Sequence, residues 1–162
     1  MWRTNTKTNG KLSFLYEFKK WFGFESYLDK VPIGNRHAMT KLRLSNHRFP
    51  IEEMRMVKEI PRKERICKIC SCKEIGDEWH YLKDCKNKKI ETARKSFIAN
   101  MKQKFPMLSS FHDETLMKYS MNMKDENMQN DTAHFVKQLL KAYNEEIETL
   151  EDKRAEKICS IM

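Results

Sequence analysis

A mostly α-helical domain gathered around one compact cysteine- and histidine-bearing segment is the fold this sequence predicts, and three observations carry it. Apolar residues recur at helical spacing in several separate stretches. No region is rich in strand signals, beyond room for a two-strand ribbon at the turn from Cys67 to Cys70. Four of the five cysteines and one of the five histidines fall in ICKICSCKEIGDEWHYLKDC, from Ile66 to Cys85.

Met1 to Gly10 is polar, rich in Thr and Asn, and expected to fray. From Lys11 the pattern turns helical: Phe14, Leu15, Phe18, Trp21 and Phe22 share a stripe, with Lys11, Lys19 and Lys20 off it. Gly23 is a natural stop, and the rings read as core instead of base-stacking platforms. Asn35 to Asn46 lies between a Pro/Gly turn and Pro50, with Ala38 and Leu42 on one face and Arg36, Lys41 and Arg43 on the other. It predicts a short basic helix whose charged face is solvated or tracks phosphates. His37 and His47 are expected at the surface or as caps, not as ligands.

Pro50 to Pro61 shows no trustworthy period. Past Cys85, Ile90, Ala93, Phe97, Ile98, Met101 and Phe105 predict a helix that stops before Pro106. Ser110 with Asp113 or Glu114 marks the start of the next, carrying Leu116, Met117 and Met121. Asn122 to Asp131 predicts a polar loop. In the last and longest helix Phe135, Leu139, Tyr143, Ile147 and Leu150 recur every three or four residues, with Glu145, Glu146, Glu148 and Glu151 on the far side. Cys159 falls past its fraying end. The expected organisation is a flexible N-terminus (1–10), helices plus the cysteine-rich segment (11–105), a C-terminal helical pair (106–157) and a tail (158–162).

Within the central segment, Cys67 and Cys70 make a C-x2-C pair, which lets a tight turn aim two thiolates at one ion. His80 and Cys85 follow as H-x4-C after a nine-residue gap. Together they offer one tetrahedral Cys3His shell, a donor set that suits zinc. The H-x4-C half has zinc-knuckle spacing, with a longer gap before it, and Gly76 and Asp77 are placed where a turn must fold the second pair back onto the first. Cys72 could replace Cys67 through C-x-C with Cys70; the x2 spacing favours Cys67 and Cys70. Cysteines this dense among lysines do not resemble an apolar core, and nothing at the N-terminus resembles a secretory signal, so an intracellular, reducing compartment is expected. A catalytic zinc keeps an open position, whereas this shell closes with four protein ligands, so no catalysis is expected.

The formal net charge is +9, and no run approaches the ~18 apolar residues of a membrane span. Residues 1–66 carry 15 Lys/Arg against 7 Asp/Glu, residues 67–104 carry 10 against 5, and residues 105–162 carry 7 against 11. The basic two-thirds surround the cysteine-rich segment, which points to RNA or DNA held mainly through phosphates. The expected contacts are Arg62, Lys63, Arg65, Lys68, Lys86, Lys88 and Lys89, the charges entering and leaving that segment. The glutamate-backed stripe from Leu139 to Leu150 leaves a helix-mediated protein partner as the alternative.

The runs FGFESYLDKVP, HAMTKLRLSNHRFPIE, RICKIC, IGDEWHYLKDC and DENMQNDTAHFVKQLLKAY occur in that order. In this the chain resembles the extreme C-terminal region of animal non-LTR retrotransposon polyproteins, over roughly Lys11 to Tyr143. The resemblance implies a zinc-binding tail, downstream of a reverse transcriptase, that helps hold template RNA or target DNA. No candidate appears for the paired aspartates of a polymerase palm or for a nuclease centre, so what is implied is the tail without catalytic domains. Glu53 and Met54 stand where relatives often carry Thr-Gly, which puts a turn glycine there in question.

Overall fold

Where apolar residues recur every third or fourth position the chain forms helices. The computed structural model describes residues 12–19, 23–58 and 60–159. Among them lie α1 (Ser13–Phe18), α2 (Tyr27–Lys30), α3 (Ile33–Arg43), α4 (Pro50–Lys58), α5 (Lys88–Lys104), α6 (Asp113–Met121) and α7 (Glu126–Cys159). Expectations placed on residues 1–11, Lys20, Trp21 and Phe22 lie outside the described residues. The anticipated ribbon is reduced to a single antiparallel bridge, Ile66 with Ile75. Among the described residues no helix is long and apolar enough to cross a membrane.

The long helix α7 is the spine, burying Phe135, Val136, Leu139, Tyr143 and Ile147 along one stripe. Its most extensive pairing is with α3, which contributes Ala38, Met39 and Leu42. Next comes α5, through Ile90, Phe97 and Met101, where the Phe97 and Phe135 rings stack with centroids 4.4 Å apart. Each such aliphatic or aromatic side chain contributes on the order of 1.5–3 kcal/mol by leaving water. One core runs from Phe14 to Ile147, drawing on both sides of Phe105.

Several expectations change for identifiable reasons. The loop predicted over 122–131 ends early, because α7 begins at Glu126 and Met128, Gln129, Thr132 and Ala133 are buried. Gln129 Nε2 there donates to the Met123 carbonyl at 2.8 Å and to Ser26 Oγ at 2.7 Å, the second a contact with a distant residue that no local polarity pattern reveals. The stretch after Pro50 is helical despite its weak period. Proline suits the first helical position and Glu52 and Glu53 favour the positive N-terminal end. Glu53 and Met54 therefore lie within α4, where no turn glycine is needed. His112, not Ser110, is the N-cap of α6. Arg43 does not face solvent: it is 2% exposed, ion-paired with Glu25 at 3.2 Å, and its guanidinium lies over the Phe18 and Tyr27 rings. The His47 side chain is likewise buried, accepting from the Phe49 N–H at 3.3 Å and facing Glu78 at 3.1 Å, whereas His37 is exposed.

Candidate metal centre

Two short pieces of chain build the centre. Cys67 and Cys70 follow Ile66 on a loop tied down by the Cys67 N–H to the Glu74 carbonyl (2.9 Å) and the Gly76 N–H to the Arg65 carbonyl (2.9 Å). The reversal falls at Lys73, which takes a left-handed φ of 55°, and not at Gly76. Gly76 is needed for close approach instead, since a Cβ there would sit 2.8 Å from Pro50 Cγ and 3.1 Å from the Tyr81 hydroxyl.

His80 and Cys85 sit at the two ends of a π-helical turn, His80–Asp84, closed by the Cys85 N–H to the His80 carbonyl at 2.7 Å. The wider turn has a purpose: five residues along an α-helix would leave the two side chains about 140° apart, while i→i+5 closure puts them on one face. Asp77 starts this turn by accepting from the His80 N–H at 3.0 Å, and Arg62 holds Asp77 from behind at 3.0 Å.

The result is that one donor atom each from Cys67, Cys70, His80 and Cys85 lies within 4.8 Å of the others, a group that can hold a metal ion. Cys72 lies beside Cys70, half-exposed, outside that group, and Cys159 is the exposed last residue of α7. His80 presents Nε2 to Cys70 Sγ at 3.4 Å and Nδ1 to Glu74 at 3.2 Å. A carboxylate on the outer ring nitrogen fixes the tautomer that leaves the inner one free to bind a cation. The Tyr81 hydroxyl donates to Cys67 Sγ at 3.2 Å, and backbone N–H groups of Ile69 and Asn87 point at the sulfurs of Cys67 and Cys85.

Sequence reasoning missed this supporting layer. Buried Arg94 donates to the Cys85 carbonyl at 3.0 Å and the Tyr81 carbonyl at 3.4 Å, satisfying acceptors that the π-turn leaves open. Its signal was available, because Arg94 occupies a position of the apolar stripe Ile90, Phe97, Met101, where a charge needs buried partners. Asn87 caps α5 through the Lys89 and Ile90 N–H groups while its amide donates to Glu146 of α7 at 2.8 Å. Trp79 carries α1, with Nε1 donating to Glu17 at 2.8 Å and the Phe14 ring at 5.4 Å.

Protons and a cation compete for the donors of this group. The Cys85 thiol's hydrogen bond, followed by those of His80 and Tyr81, outweighs burial and holds the Cys67 thiol well below the usual range. Cys85, hydrogen-bonded to Cys67 and buried, is pushed far up. Burial lowers His80, but hydrogen bonds and charge from Cys67 and then Cys70 prevail and lift it to about 9. An ion must displace these protons, so its retention strengthens as pH rises and fails as pH falls. In competition with a chelator, the bound ion is expected to become steadily easier to extract from mildly alkaline to mildly acidic pH. Retention independent of pH would contradict proton exchange at these groups.

Of the basic residues expected to meet phosphates, four are engaged within the protein. Arg62 pairs with Asp77, Lys68 with Glu53, and Lys89 with Glu146 and Glu145, while Arg65 donates to the Ile60 and Ile51 carbonyls at 2.7 and 2.9 Å. Lys63, Lys86 and Lys88 are exposed and make no ion pair among the described residues. Comparison with family models, curated proteins and solved structures returns no match for this chain.

Proposed function

We propose that the protein is a non-catalytic, zinc-dependent nucleic-acid-binding module akin to the C-terminal tail of non-LTR retrotransposon polyproteins. The observation that carries the zinc part is the Cys3His group with a carboxylate behind its histidine. Thiolate and imidazole donors select zinc over hard cations. The 3.4 Å between Cys70 Sγ and His80 Nε2 is near the roughly 3.6 Å that tetrahedral zinc would set with ordinary Zn–S and Zn–N bonds. The nucleic-acid part is supported by the excess of positive charge around that centre and by the exposed Lys63, Lys86 and Lys88 beside it. The kinship rests on the ordered residue runs.

A specific feature favours a second reading, a zinc-stabilised helical interaction module. Beyond Ile147, the last buried residue of α7, the helix continues to Cys159, with Ile158 62% exposed. Zinc quantification on the purified protein, alongside nucleic-acid binding across a salt series, separates the two. One equivalent of zinc and affinity that falls with salt are expected. Each phosphate contact removed, as in Lys86→Glu with Lys88→Glu, should lower the log–log salt slope by about 0.9 on duplex DNA or 0.7 on single strands. Zinc without any salt-dependent binding would favour the interaction module.

A further inference from the structure

The faces of α3 and α7 that diverge above their packed seam leave a groove of about 560 Å³ that the sequence does not announce. Its floor includes Ala38 and Leu140, one wall carries His37 and Lys41 of α3, and the other carries Lys137 and Lys141 of α7. Lys41 and Lys137 are exposed and make no ion pair among the described residues; Lys141 reaches Glu145 only at 3.8 Å. Lys137 lies over Gly34, its Nζ 3.2 Å from where a Cβ would stand, so the absent side chain leaves room for an ammonium inside the groove. The two helices run in the same direction here. Lys137 lies at the Gly34 end, and the carboxylates Glu145 and Glu148 lie further along α7, on the side of Arg48, whose guanidinium is paired with Glu151.

We propose, resting on the nucleic-acid reading above, that this groove holds the phosphodiester backbone of a single strand. The favourable charge is unspent: lysines paired internally gain little from a phosphate, whereas Lys41 and Lys137 hold no carboxylate that a phosphate must displace. A flexible single backbone can follow a recess of about 560 Å³ between two helices, whereas a duplex, stiff over about 150 base pairs, cannot bend into it and would meet only its rim. Glu145 and Glu148 close the far end by repulsion and limit the track to a few phosphates. Cations drawn from α3 and from the mostly acidic C-terminal third meet only through the fold, which explains why a tally along the chain places the contacts elsewhere.

The test uses the zinc-loaded full chain and a fluorescein-labelled oligothymidylate strand, titrated across salt. Lys41→Glu with Lys137→Glu is expected to weaken binding and lower the salt slope by about 1.4, twice the ~0.7 of one single-strand contact. Lys86→Glu with Lys88→Glu, outside the groove, is expected to lower the slope separately, so that the two pairs combined should add. Both lysines of the groove are exposed, so unchanged zinc content and helical circular dichroism should accompany the loss. If the strand binds the parent but the groove variant binds equally well, the groove inference is overturned and the nucleic-acid reading survives. Should the parent bind neither the strand nor the corresponding duplex, the nucleic-acid reading itself falls. Tighter binding of the corresponding duplex, or displacement of the strand by polyglutamate at equal charge, would overturn the single-strand assignment.

Discussion

Replacing Cys85 with serine is expected to abolish stoichiometric zinc and to unfold the segment from Ile66 to Cys85. Cys85 is fully buried, its sulfur is one of the four donors within 4.8 Å of one another, and its carbonyl is held by Arg94. A structural zinc contributes on the order of 10 kcal/mol or more of folding free energy, as much as the whole net stability of about 5–15 kcal/mol of an ordinary domain. Without the ion, a loop secured by one β-bridge cannot hold three sulfurs and an imidazole side by side. Cys72→Ser, beside the cluster but outside it, should leave zinc content and melting temperature unchanged. Metal analysis with circular dichroism reads both variants. Loss of zinc in Cys72→Ser, with retention in Cys67→Ser, would mean that the C-x-C pairing supplies the ligands.

The second large effect is expected at Phe49→Ala. Phe49 is fully buried where its ring meets Tyr81 at 4.1 Å and Tyr143 at 4.8 Å, the latter two rings lying 5.0 Å apart. Tyr81 runs on to Cys67 and Tyr143 belongs to α7, so this trio joins the metal centre to the spine of the fold. Deleting the ring leaves a cavity under both tyrosines and should cost about 3–5 kcal/mol, read as a lower denaturation midpoint with zinc still bound at neutral pH. Phe24→Ala, at a site 71% exposed, is the comparison and should cost little. A loss below about 1 kcal/mol at Phe49 would show that the metal segment and α7 are not packed as one core.

The helical stripes of α5 and α7 and the four clustered donors were legible because each depends on local spacing alone. Cys67 could be preferred to Cys72 for the same reason, since two intervening residues let a tight turn converge both sulfurs. What could not be read depends on chain segments far apart in sequence. Arg43 looked solvated until Glu25, Phe18 and Tyr27 closed over it. Lys68 and Lys89 looked available for phosphate until α4 and α7 brought Glu53 and Glu146 to them. Gly76 carried a signal that was legible but misassigned: a mid-gap glycine suggested a turn, and the constraint is the proximity of Pro50.

The two halves of the metal shell are unequally supported. His80 and Cys85 ride on a helical turn whose open carbonyls are held by Arg94 from α5, while Cys67 and Cys70 hang on a loop joined to the body by few backbone bonds. Loss of an ion is therefore expected to begin on the side of Cys67 and Cys70, a clasp held mainly by side chains such as Tyr81 on Cys67 and Lys68 on Glu53, over the anvil formed by His80 and Cys85.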